Sequence, residues 1–145
     1  MSWSLIVQAI RGRVETLVAV PRDLQTFVDN EPLGDVAGAT WCRISVQGAD
    51  RFQASLGRKH FRTVGLVFLQ LFTPLGTGDY ALHQLIDAID GAFLGVELDV
   101  SETPRVGIRF RAPLPQGPAE EDSETWLRQD VQIPFLADYF AGAVT

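Results

Sequence analysis

Residues 61–78, FRTVGLVFLQLFTPLGTG, run directly into residues 79–93, DYALHQLIDAIDGAF, and this junction decides the fold. The first stretch reads as a long, nearly all-apolar strand. Val64, Leu66, Phe68 and Phe72 fall on one face, and Gly65, Val67, Leu69 and Leu71 on the other, with Gln70 the exception. Successive side chains of a strand point to opposite faces, so a strand apolar on both takes a central place with a layer or a partner subunit on each side. Pro74, Gly76 and Gly78 make the turn that ends it. Thr77 is the expected cap of the next element, with Asp79 in its first turn. Leu82, Leu85, Ile86, Ile89 and Phe93 then recur at i, i+3, i+4, i+7 and i+11, the stripe of an amphipathic helix, and Gly95 is its expected stop.

On the N-terminal side, Ser2 to Val20 also reads as a helix, with Ile6, Ile10, Val14, Leu17 and Val18 on one face and Pro21 as the stop. Its β-branched residues lower its intrinsic propensity, so it depends on docking against a sheet. Residues 22–38 are heavily punctuated, and a short strand or turn is expected only near Leu24 to Val28. Trp41 to Gln47 alternates as a half-buried strand, with Cys42, Ile44 and Val46 on the apolar face. Phe52, Ala54 and Leu56 share one face of a ragged strand that rises into a turn at Gly57.

On the C-terminal side, Val96 to Val100 and Arg105 to Arg111 alternate as strands, the second with Val106, Ile108 and Phe110 inward. Residues 112–125 hold three prolines and four acids and are expected to form an exposed loop. Trp126 to Leu136 is a last strand, in which Pro134 points to a sheet edge, a bulge or the strand end. The order of elements predicts an α+β fold: one mainly antiparallel, mixed β-sheet with two helices packed across it.

The chain has 145 residues, 46% of them hydrophobic, enough for one domain spanning residues 1–145. Its net charge of −6 does not suit a surface that grips nucleic acid everywhere, and composition alone does not show a passage along which DNA slides without sticking. A single cysteine, Cys42, excludes an internal disulfide, and a reduced, cytoplasmic folding compartment is expected. No apolar run is long enough to span a bilayer, and no signal-peptide pattern opens the chain.

Motifs for chemistry are sparse. His83 and Asp87 stand four apart on the second helix and read as a solvated pair rather than a metal site, which needs more ligands. Cys42 lies on the apolar side of its strand, where a small buried hydrophobe is expected rather than a nucleophile. The GTG at 76–78 lacks the Lys-Ser/Thr of a phosphate-binding loop. Glu97 and Asp99 sit on the wet face of a strand, not opposed across a pocket. No catalytic residue, metal site or cofactor is therefore expected, and the chain does not read as an enzyme.

Two charged groups remain as candidate surfaces. Arg51, Arg58, Lys59, His60 and Arg62 make a positive tip in an acidic protein, suited to DNA phosphates or to an acidic partner. Glu120, Glu121, Asp122 and Glu124 form an acidic stretch of opposite sign. In a closed ring, one group could meet the other on a neighbouring subunit.

Four segments together resemble the tail terminator, or tail-completion, proteins of long-tailed bacteriophages, including the minor tail proteins of lambda-like siphophages. They are the N-terminal helix ending at Pro21, GLVFLQLFTPLGTG at 65–78, DYALHQLIDAIDGAF at 79–93, and WLRQDVQIPFLADY at 126–139. The resemblance implies an α+β fold and a hexameric ring that caps the tail tube, stops its polymerisation and offers the surface that joins tail to head. It also implies the tail tube protein and a head completion or connector protein as partners. DNA would pass through the lumen without sequence-specific binding. The site would be the virion, at the head–tail junction, after assembly in the host cytoplasm, with no membrane contact. It implies no cofactor. Two other readings stand beside it. One is a head–tail connector or another minor virion component. The other is a small ligand-binding or enzymatic α+β domain, which would need a deep pocket gathering His83, Cys42 or the carboxylates.

Overall fold

The structure, a computed structural model, describes residues 3–29, 31, 39–54, 60–102, 105–120 and 126–140. Helix α1 spans Trp3–Val14 and buries Ile6, Ile10 and Val14, residues four apart that form one narrow stripe. The helix then widens into a π turn over Glu15–Ala19 and tightens into a 3-10 turn over Val20–Arg22, where Pro21 has no N–H to continue it. Asp23, at φ 50, turns the chain away, and the Leu24 N–H donates to the Ala19 carbonyl at 3.0 Å.

Strand β1 (Gln25–Val28) lies parallel to β2 (Trp41–Gln53), which is antiparallel to β3 (His60–Pro74). After the turn comes α2 (Tyr80–Phe93), then β4 (Glu97–Glu102), β5 (Arg105–Phe110), β6 (Leu114–Glu120) and β7 (Trp126–Phe140). These form one seven-stranded mixed sheet of order β1-β2-β3-β7-β5-β4, with β6 also paired to β7. The central position read for the apolar strand is the one it takes: β3 is zipped along its length to β2 on one side and β7 on the other.

Both helices lie on one face of this sheet. Ile6 and Ile10 of α1 and Leu82, Leu85 and Ile89 of α2 share a core with Val67, Leu69 and Leu71 of β3 and Ile133 and Phe135 of β7. Burying each such side chain stabilises the fold by about 2 kcal/mol, which offsets the weak helix propensity of the Val- and Ile-rich α1. Arg13 ties the helices together, its Nε donating to the Ala92 carbonyl at 2.6 Å in the last turn of α2, where a cation also meets the negative end of the helix dipole.

On the opposite face of β3, Val64, Leu66 and Phe68 are half-buried, and no helix covers them among the described residues. At one end of that face Phe27, Trp41 and Phe72 form a second small core, with Trp126 against it. Trp41 stacks on Phe72 with ring centroids 4.1 Å apart and meets Phe27 and Trp126 edge-on.

Three expectations change. The stretch 112–125, expected as an exposed loop, contains β6, whose residues from Leu114 to Gly117 are exposed yet paired to β7 through an irregular register between Gln116 and Ala119. Buried Gln129 supports this pairing by donating to the Gln116 carbonyl at 2.9 Å. Pro134 is not at a sheet edge, because β7 has neighbours on both sides. It sits where the second neighbour changes, since β6 pairs with residues up to Gln132 and β5 with residues from Phe135. Its carbonyl accepts from the Arg111 N–H at 2.9 Å, so the N–H that proline lacks would face this junction rather than a continuous ladder. Thr77 does not cap α2: its hydroxyl donates back to the Pro74 carbonyl at 2.7 Å, and Asp79 is the N-cap.

Candidate functional site

The basic group predicted around residues 51–62 is split by the sheet. In β2 the register shifts between Gly48 and Asp50, a bulge that places Gly48 opposite Gly65 but Asp50 opposite Val64. One extra residue exchanges the faces of everything beyond it. Arg51 therefore pairs with Thr63 on the helix-bearing face, its Nε donating to the Thr63 hydroxyl at 3.2 Å. Asp50 and Phe52 move to the helix-free face.

His60 and Arg62 of β3 stay together on that helix-free face and converge on Asp138 of β7. Arg62 donates to the Asp138 carboxylate through Nε at 2.7 Å and through a terminal nitrogen at 3.3 Å, and His60 Nε2 lies 3.1 Å from the same carboxylate. A terminal nitrogen of Arg109, from β5, is 3.8 Å away. Partial burial pushes the Asp138 carboxyl up, but hydrogen bonds from Arg62 and His60, with their charges, hold it below its ordinary value. The same bond to Asp138 raises Arg62 above the usual guanidinium range. Beside them, His60 stacks on Phe140 at 4.1 Å, and Arg105 lies over the Phe140 ring at 5.3 Å. Sequence spacing gave no sign of Asp138, because it reaches this cluster through the β3–β7 register alone. Arg58, Lys59, Glu121, Asp122 and Glu124 lie outside the described residues. Glu120 ends β6, opposite Leu127.

The residues weighed for chemistry are not brought together. Cys42 is buried, and burial first, then the nearby Glu15 charge, pushes its thiol up to about 12, far from a reactive thiolate. His83 pairs with Asp79 at 3.0 Å, one turn back, and not with Asp87. Among the described residues no group of three or more His, Cys, Asp or Glu could hold a metal ion. A groove of about 770 Å3 beside α2 has Tyr80, Gln84 and Asp87 in its wall, but neither Cys42 nor His83. No helix among the described residues is long and apolar enough to cross a membrane. What the geometry offers is surface: a helix-free sheet face with half-buried apolar side chains, and charged clusters at its end.

A family model described as "Phage tail terminator protein" matches residues 5–135. The chain belongs to the phage tail terminator protein family. The match runs from α1 through the central strands of the sheet into β7, the segments on which the resemblance was read. Among solved structures, a chain from the virion of a native gene transfer agent (GTA) particle has the same fold, with TM-score 0.60 and 18% identity over 96% of this chain and 99% of that one. A second solved chain, whose name carries no function, aligns with TM-score 0.65 and 20% identity over 96% of each. No curated protein matches.

Proposed function

We propose that this tail terminator acts as a ring, a hexamer, that seats on the end of the phage tail tube, ends its polymerisation and presents the surface to which the head is joined. The whole chain, residues 1–145, serves as one structural unit of that ring, with DNA passing through the lumen. The observation that carries this reading is the family match across residues 5–135. The helix-free face of β3 supports it, because half-buried Val64, Leu66 and Phe68 in a chain of this size suit burial against a partner. The partners are the tail tube protein on one side and a head completion or connector protein on the other, and the place of action is the head–tail junction of the virion.

The test is tube growth. Purified tail tube protein polymerises with and without the terminator, and tube ends and lengths are measured by electron microscopy. The proposal expects added terminator at one tube end and no further elongation there. Unchanged elongation, together with binding to the portal side of the head, would instead assign the chain to the head–tail connector class.

A further inference from the structure

We draw no further inference here: the strongest candidate, the half-buried apolar strip of Val64, Leu66 and Phe68 on the helix-free face of β3, already supports the ring reading above, and nothing in the structure shows what covers it.

Discussion

Arg62 and Asp138, 76 residues apart, are joined by two guanidinium–carboxylate hydrogen bonds, of 2.7 and 3.3 Å, across the β3–β7 ladder. The pair ties the two longest strands together on the face of the sheet that carries no helix among the described residues. It also gives the fold an acid-sensitive point. Asp138 titrates below its ordinary value in the folded chain, so its contribution is fully present above the unfolded carboxylate pKa of about 3.9 and is lost as pH falls through the lower folded value. Replacing Asp138 by Asn should cost about 1 kcal/mol at neutral pH, since the pair is partly exposed and screened. Urea unfolding at pH 7 and at pH 3 checks this: the difference between wild type and Asp138→Asn shrinks at the lower pH.

Gly65 has no room for a side chain. A Cβ there would lie 2.5 Å from the Gln47 carbonyl oxygen and 2.5 Å from Cζ of Phe135, its partner across the ladder. The first obstacle is backbone and cannot swing away. Gly65→Ala should destabilise by about 1–3 kcal/mol, the usual cost of overpacking, and lower the melting temperature accordingly. A melting curve unchanged by the substitution would show that β2 and β3 are not held this close.

Gly12 and Gly91 behave in the opposite way. Each sits in a helix, is exposed and would place a Cβ in open space, with nothing within 4 Å. Neither serves a close approach, so Gly12→Ala and Gly91→Ala should each stabilise by about 0.5–1 kcal/mol through helix propensity and a less flexible unfolded chain. Denaturant midpoints should move up with the slope unchanged.

Cys42 is fully enclosed between the sheet and the helices, with its thiol pushed up to about 12. An aromatic disulfide reagent should leave it unmodified at pH 8 in the native protein and modify one thiol per chain in denaturant. Rapid native labelling would contradict its burial.

Much of this architecture was legible because two periods in the sequence are clean. The alternation of β3 and the three-and-four spacing of α2 each come from a single dominant packing surface, and both elements appear where the pattern put them. The parts that escaped reading depend on partners distant in sequence. Pro115 and the acids hid β6, which is held by β7 and by Gln129 rather than by its own apolar alternation. Pro134 looked like an edge residue because composition does not show that β5 and β6 share one side of β7. The bulge after Gly48 is equally invisible in the sequence: without it, Arg51 would have joined Arg62 on the same face. Family membership was readable because it rests on the same apolar strands and turns that make the fold, whereas Asp138, the acid that gathers His60 and Arg62, has no signal in local sequence.

The central claim is a closed ring. Mass measurement of the wild-type chain in solution, with imaging of the same sample alone and after addition of tail tube ends, tests it directly. The account predicts a particle of about six times 16.0 kDa with an open lumen, free or seated on the tube end. A chain that stays monomeric under both conditions would contradict it.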